Sequence, residues 1–360
     1  MKEHIFQLLL SVIPVCLLVP DAMARSVVVG TCLPNLPTYT SISQAVTAVA
    51  PYTTVLVCPG NYPEQVTITQ PLTLRGVRSG NAANPTITVP AAGLSKNGTA
   101  AYYQVLVQET GSGAVNISNM SVDGGNRGQQ FDGGFVGVAY VNSSGRLTHS
   151  AIYNQTGNGR GFGASFDCTT ASPVAVEVIG NSIHDFDQTG LAAYRNLTAD
   201  ISSNVLVASS SFTGAAPNGI VLYARGTVSG NLVISHPQPP GISAETGITV
   251  QSNVVVTNNT VEAFTIGIWP LGDSNKVLSN KLLQVSLGIA VNGSNNDVEH
   301  NNMTGLPNGG AGIGLNCASS GNIVIHNVVN DSFWGILQTH SGDTTSPNKF
   351  FNVARILSPC

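Results

Sequence analysis

The sequence predicts an all-β protein built from stacked repeats. Only 9% of its 360 residues are charged, which disfavours a helical bundle because exposed helix faces need Lys and Glu. A hydrophobic content of 42% argues against a disordered chain. Two short phrases recur along the chain at a loose period of 21–28 residues, which is typical of a solenoid.

The first phrase is an apolar residue, two further residues, Asn, one residue and a second apolar residue. Asn tolerates left-handed backbone angles, which a sharp bend between strands requires. Coils of a solenoid stack at roughly 4.8 Å, so identical amides can hydrogen-bond along the axis as a ladder. Seven copies predict such a ladder at Asn181, Asn204, Asn231, Asn259, Asn280, Asn301 and Asn327.

The second phrase is a Gly followed by an apolar residue, and it falls between successive Asn phrases. We interpret the Gly as marking bends where a Cβ atom would clash. Each repeat then holds two or three short strands, bounded by Asn, Gly and Ser turns. The copies lie at Gly190, Gly219, Gly247, Gly267, Gly288, Gly312 and Gly335, with Gly163 as an earlier member.

These paired phrases resemble the repeats of the right-handed parallel β-helix, the fold shared by pectate lyases, polygalacturonases, alginate epimerases and NosD-like proteins. The resemblance covers about residues 38–356. It implies a right-handed single-stranded parallel β-helix solenoid with a short N-terminal capping helix. The N-T-D, D-D, G-H-G and R-I-K stretches of polygalacturonases are absent, so the resemblance identifies architecture rather than one activity.

The N-terminal region predicts export followed by a cap. Residues 1–24 read as a signal peptide, because an apolar run precedes Ala22-Met23-Ala24. The remaining 25–360 form one β-helix domain, with the cap at about 38–51 and clear repeats at about 146–348. Ser41 and Gln44 fit a capping box at the start of a short amphipathic helix. The predicted location is secreted, periplasmic or cell-surface, and no transmembrane segment is expected in the mature chain.

Cysteine usage fits an oxidising compartment. Cys168 and Cys317 would stand about six coils apart, or roughly 29 Å, too far for a disulfide. We therefore predict the pair Cys32–Cys58, a second pair Cys317–Cys360, and Cys168 as a free thiol.

Loop lengths locate the variable side of the solenoid. The distance from each Asn to the next Gly varies twofold, whereas the distance from Gly to Asn is nearly constant. Binding sites usually lie where insertions gather. The longest loops, Val205–Asn218 and Leu232–Thr246, would wall a groove. Alternation along each strand would direct the fourth residue after the Gly outward, which places Asp167, Tyr194 and Tyr223 on successive coils.

This groove suggests a site for acidic polysaccharide. Lyases and epimerases need a cation for the uronate carboxylate, a base for the C5 proton and an acid for the leaving group. Arg195 or Arg225 would supply the cation, and His184, Tyr194 or Tyr223 the base or acid. The predicted substrate-binding residues are Asp167, Asp185, Asp187, His236 and Glu245. The alternative is that these residues form a polar and aromatic ladder with solvated loop charges.

Two functions therefore remain open. One is a secreted carbohydrate-active protein that acts on acidic polysaccharide by lyase or epimerase chemistry. The other is a non-catalytic β-helix that binds glycans or serves as a surface or envelope element. In both, the expected partner is a polysaccharide or cell-envelope glycan. Binding to nucleic acid is not expected, because the chain has only 14 Lys and Arg residues against 18 Asp and Glu residues and is therefore not basic.

No cofactor or metal site is predicted, although calcium is left open. The Gly turns at Asp123 and Asp132 could offer carboxylate and carbonyl oxygens, or could simply be flexible turns. The His residues are scattered without ligand spacing, and His300 and His326, which precede ladder Asn residues, are interpreted as strand residues.

Overall fold

The chain winds through three parallel sheets, adding one strand to each sheet per coil. The computed structural model describes residues 25–78, 83–96, 101–157, 159–210, 217–236, 245–306 and 310–360. The predicted signal peptide and part of both groove loops lie outside the described residues. Pairing is parallel in every sheet, as between Asp167 and Tyr194 in the first, which we call sheet A.

Strand bounds follow the repeat. Sheet A contains Val66–Ile68, Ala101–Gln108, Gly134–Val141, Gly161–Cys168, the first halves of Thr189–Ser202 and Asn218–Ser229, Thr246–Val250, Ile266–Pro270, Leu287–Val291, Ala311–Leu315, and the second halves of Val328–Thr339 and Lys349–Pro359. Sheet B contains Ser26–Val29, Thr54–Val57, Leu72–Gly76, Ala114–Ser118, Ser144–Thr148, Val174–Ile179, the second halves of Thr189–Ser202 and Asn218–Ser229, Val254–Thr257, Lys276–Leu278, Asp297–Glu299 and Ile323–Ile325. Sheet C contains Asn61–Pro63, Thr86–Thr88, Ser121–Asp123, Ala151–Gln155, Ser182–Phe186, Val205–Val207, Leu232–Ile234, Thr260–Glu262, Lys281–Leu283, Asn302–Thr304 and the first parts of Val328–Thr339 and Lys349–Pro359. Thr38–Tyr39 pairs beside Ser26–Val29.

The interior is a single apolar column. Inward residues at the first and third positions after each Gly from Gly163 to Gly312, such as Leu191 and Ala193, are buried, whereas Gln338, the third residue after Gly335, is exposed. One cluster of buried side chains runs from Val27 to Ile336. Each fully buried Val, Leu or Ile side chain stabilises the folded state by about 1.5–3 kcal/mol relative to an exposed one. The burial of these inward positions confirms the predicted alternation along sheet A.

The Asn ladder is confirmed at the corner between sheets B and C. Asn181 Nδ2 donates to Asn204 Oδ1 at 2.9 Å, and the same contact repeats coil by coil until Asn327 donates to Asn348 at 3.0 Å. The bend itself was assigned to the wrong residue. The left-handed residue is the one before each ladder Asn, for example Ser203 with φ 56°, because the Asn needs its own backbone N–H free to donate along the ladder.

The Gly column also has a different location from the one predicted. These Gly residues lie inside the strands of sheet A, not at bends. A Cβ atom on Gly190 would lie 2.6 Å from Leu206 Cδ2 and 2.8 Å from the Gly219 carbonyl oxygen. Glycine is required because apolar side chains from sheet C pack directly against the backbone of sheet A.

A short helix packs at the N-terminal end of the solenoid. It runs from Ile42 to Ala48, and Ser41 accepts a hydrogen bond from the Gln44 backbone N–H, as the capping motif predicts. Glu64 adds a cap from outside the helix, accepting the backbone N–H groups of Ile42 and Ser43 at 2.8 Å. No helix in the described residues is long and apolar enough to cross a membrane.

All three cysteine predictions are confirmed. Cys32 is bonded to Cys58 with a Cα–Cα distance of 5.7 Å, and Cys317 to Cys360 with one of 5.6 Å. Cys168 is a buried free thiol. The first bridge joins the N-terminal segment to the first coil.

Candidate functional site

Sheet A brings three predicted site residues together on its outer face. Asp167 lies opposite Tyr194 on the neighbouring strand, and Tyr194 lies opposite Tyr223 on the strand after that. The two Tyr rings meet edge to face with centroids 5.9 Å apart. Tyr194 is half-buried, whereas Tyr223 is 38% exposed. We call Asp167, Tyr194, Arg195 and Tyr223 the sheet A patch.

Arg195 joins the patch through a two-pronged contact with Asp167. Arg195 Nε donates to Asp167 Oδ1 at 2.6 Å, and its terminal nitrogen donates to Asp167 Oδ2. Arg195 has a left-handed backbone with φ 69° and turns its side chain back over sheet A at this corner. The contact with Asp167 raises the pKa of the guanidinium further, so Arg195 stays a cation.

Tyr194 is a proton donor at neutral pH. Burial raises the pKa of its hydroxyl, and the neighbouring Tyr223 and Asp167 raise that pKa further by repelling the phenolate. A general base needs the opposite shift. The environment therefore keeps the Tyr194 hydroxyl protonated, so that it can donate a hydrogen bond.

Arg225 lies one coil away but is displaced from Arg195. Between Tyr194 and Thr198 the first strand has three unpaired residues, whereas the neighbouring strand has one between Tyr223 and Arg225. Arg225 therefore lies opposite Thr198 and not opposite Arg195. Its side chain is exposed and forms no ion pair with any described residue. Arg225 is thus an available cation beside the patch.

His184 and Asp185 lie on a different sheet from the patch. His184 Nδ1 is 2.6 Å from Asp185 Oδ2, and its ring stacks on Tyr153 with centroids 5.1 Å apart. Both residues belong to the sheet C strand Ser182–Phe186. The intervening strand of sheet A from Thr189 to Tyr194 spans about 17 Å. The structure therefore does not bring His184 to the Tyr residues.

Two predicted substrate-binding carboxylates are buried at the corner between sheets C and A. Asp187 is 1% exposed and accepts backbone N–H groups from Gly157, Gly159 and Gly161 at 2.5–3.0 Å. Three donors to one carboxylate make Asp187 an anchor for the preceding coil, which favours a structural role over substrate contact.

Glu245 is the second buried carboxylate. It is also 1% exposed, and its Oε2 is 2.9 Å from the Ser235 hydroxyl. Its Oε1 has no hydrogen-bond partner among the described residues. Burial raises the pKa of Glu245 to about 7. His236 is half-buried next to Ser235, and the loop that continues from it lies outside the described residues.

The two Gly turns use their carboxylates within the protein. Asp123 Oδ1 accepts the Gly125 backbone N–H and the Asn154 amide, both at 2.8 Å. Asp132 accepts Lys96 Nζ at 2.8 Å and the Tyr102 hydroxyl at 2.7 Å. Calcium at either turn stays an open alternative to a simple Gly turn.

Comparisons with known proteins agree with this architecture. A family model described as a right-handed β-helix region matches residues 197–351. GH136 lacto-N-biosidase from Eubacterium ramulus is structurally similar, with a TM-score of 0.58, 13% identity and coverage of 94% of this chain and 68% of that chain. The chain is a right-handed parallel β-helix.

Other solved β-helix structures are equally distant in sequence. The catalytic domain of a GH87 α-1,3-glucanase in complex with nigerose has a TM-score of 0.59 at 11% identity, over 92% of this chain and 66% of that chain. The periplasmic alginate epimerase AlgG has a TM-score of 0.50 at 13% identity, over 89% and 84%. A search of curated protein sequences found no match.

The β-helix also brings together residues that the sequence pattern left apart. Glu299, His300 and His326 form a cluster whose ligand atoms lie within 4.8 Å of one another. The interpretation of His300 and His326 as strand residues is wrong. Both are left-handed turn residues, with φ 58° and 59°. Each His immediately precedes a ladder Asn, and the two Asn residues lie on adjacent coils. This shared position was the sequence signal from which the proximity of the two His residues could have been predicted.

Proposed function

We propose that this β-helix binds a polysaccharide along the outer face of sheet A, at the sheet A patch. The observation that carries the proposal is the edge-to-face pair of Tyr194 and Tyr223 beside a charged pair. Aromatic rings with a polar tip suit amphipathic ligands such as sugars. The ion pair of Asp167 and Arg195 adds fixed donors and acceptors for hydroxyl groups. Three β-helix proteins of similar fold carry the names of glycan-directed enzymes, which supports this class of ligand.

We further propose that the ligand is acidic. Asp167 already neutralises Arg195, but Arg225 on the next coil is an exposed cation with no carboxylate partner among the described residues. A uronate carboxylate can form a charge-assisted hydrogen bond with this guanidinium. Secretion remains part of the proposal, and two disulfides support folding in an oxidising compartment.

Lyase or epimerase chemistry is the second candidate function. Tyr194, whose raised pKa keeps its hydroxyl protonated, is the candidate acid for such chemistry, and Arg225 is the candidate cation. Of the three residues predicted as base or acid, His184 lies on sheet C and does not reach a sugar held at the patch, which leaves Tyr223 as the candidate base. Binding needs no base, so it is the first proposal. A surface or envelope role is compatible with the binding proposal.

Replacing Tyr223 by Ala should weaken binding of a polyuronate about three- to tenfold, as expected for loss of one stacking contact. Affinity electrophoresis or calorimetry with polygalacturonate and alginate would measure the change. Tyr52→Asn is the control, because Tyr52 is 65% exposed outside the patch and its left-handed backbone suits Asn. Equal affinity in the parent chain and Tyr223→Ala would contradict the proposal.

Arg225→Ala separates acidic from neutral ligands. We expect it to reduce affinity for polyuronates while leaving any affinity for neutral glycans unchanged, since only the carboxylate contact is lost. Formation of unsaturated, ultraviolet-absorbing products or a changed uronate ratio, abolished in Tyr194→Phe, would instead establish the catalytic candidate.

A further inference from the structure

We propose that Glu299, His300 and His326 form a surface binding site for a divalent transition-metal ion. The site lies at the corner between sheets B and C, on a different side of the solenoid from the sheet A patch. One ligand atom from each residue lies within 4.8 Å of the others. This inference is independent of the proposed glycan binding.

The backbone fixes the two imidazoles on adjacent coils. Each His immediately precedes a ladder Asn, and Asn301 Nδ2 donates to Asn327 Oδ1 at 3.0 Å. The two rings stack with centroids 5.0 Å apart and an interplanar angle of 26°. The buried ladder holds both turns in place, so the backbone that carries the two imidazoles is fixed before any ion arrives.

The donor set selects the class of ion. Two imidazole nitrogens and one carboxylate oxygen suit Zn²⁺, Ni²⁺ or Cu²⁺, whereas Ca²⁺ and Mg²⁺ prefer all-oxygen sites. His300 Nδ1 lies 3.8 Å from Glu299 Oε2, which is too long for a hydrogen bond. Two atoms bound to one tetrahedral metal ion at about 2.0–2.1 Å each lie about 3.3–3.4 Å apart, so a shared ion would draw these two atoms together by about 0.4 Å.

The equivalent turn of another coil supplies a control residue. His149 occupies the equivalent position before Ser150, also with a left-handed backbone of φ 49°. Gly180 stands in that position on the next coil, so His149 has no imidazole there to share an ion. Asn258 shows that this turn position accepts Asn, with φ 56°. Asn replacements therefore remove an imidazole while preserving the turn.

Titration calorimetry of the mature chain, prepared without a polyhistidine tag, tests the site with Zn²⁺, Ni²⁺ and Cu²⁺. We expect one ion per chain. His300→Asn and His326→Asn should each weaken binding by at least about tenfold, because losing even an outer partner of a metal ligand weakens binding 10–100-fold. Glu299→Gln should weaken it too, and His149→Asn should not.

A thermal unfolding scan of each variant establishes that the fold is retained, and an ion that binds the native state should raise the parent's unfolding temperature. The proposal is overturned if none of the three ions binds, or if His326→Asn binds as tightly as the parent. It is also overturned if His149→Asn loses binding to the same extent.

Discussion

An Asn259→Ala variant is expected to unfold with a free energy about 3–5 kcal/mol lower than the parent chain. Asn259 is 1% exposed and lies in the middle of the ladder. Its Oδ1 accepts both the backbone N–H and the side-chain amide of Asn231, and its Nδ2 donates to the Val228 carbonyl and Asn280 Oδ1. Truncation removes the acceptor of the buried Asn231 backbone N–H and one donor each to the Val228 carbonyl and Asn280 Oδ1. A buried group left unpaired costs about 1–3 kcal/mol.

Urea unfolding followed by far-ultraviolet circular dichroism measures this loss. Asn258→Gly is the matched control, because Asn258 is the exposed neighbour with φ 56° and glycine adopts that conformation without strain. The control should change stability by less than about 0.5 kcal/mol. Comparable losses in the two variants would show that the ladder amide is not what stabilises the corner.

A Glu245→Gln variant is expected to be more stable than the parent at pH 8, by about 2–3 kcal/mol. Burial raises the pKa of this carboxyl from 4.5 to about 7 in the folded chain. The folded state therefore holds a proton that the unfolded state releases between those values, and the stability of the parent falls as pH rises through that window. Below pH 4.5 the carboxyl is protonated in both states, so the two chains should then be equally stable.

Unfolding free energies measured at pH 4 and pH 8 test the expected difference. Glu262→Gln, a change at an outward and half-buried position of sheet C, controls for the simple removal of one charge. Equal stability of Glu245→Gln and the parent at pH 8 would contradict the assignment of a buried carboxyl with a raised pKa. A Glu245→Gln variant that is more stable than the parent at pH 4 but not at pH 8 would show the opposite pH dependence from the one predicted.

Repetition made the architecture readable from sequence. The Asn phrase recurs because each amide must meet an identical amide one coil away, and the disulfides followed from the same coil counting. Asn275, Asn296 and Asn322 form a second ladder that was missed. The residue three positions before each of these Asn residues is Gly or Ser, whereas the repeated phrase of the first ladder has an apolar residue at that position.

The site was only partly predictable. Alternation correctly placed Asp167, Tyr194 and Tyr223 on one face, because side-chain direction has a period of two along a strand. Alternation does not reveal which sheet a residue joins, so His184 was grouped with residues on another sheet. Asp187 was predicted to bind substrate, whereas its carboxylate is buried against three backbone N–H groups.

The most direct test of polysaccharide binding is a crystal structure of this chain with an oligouronate. We expect electron density for the sugar across Tyr194 and Tyr223, with a uronate carboxylate beside Arg225. An oligosaccharide bound instead on sheet C at Tyr153 and His184, with the sheet A patch free of sugar, would contradict it.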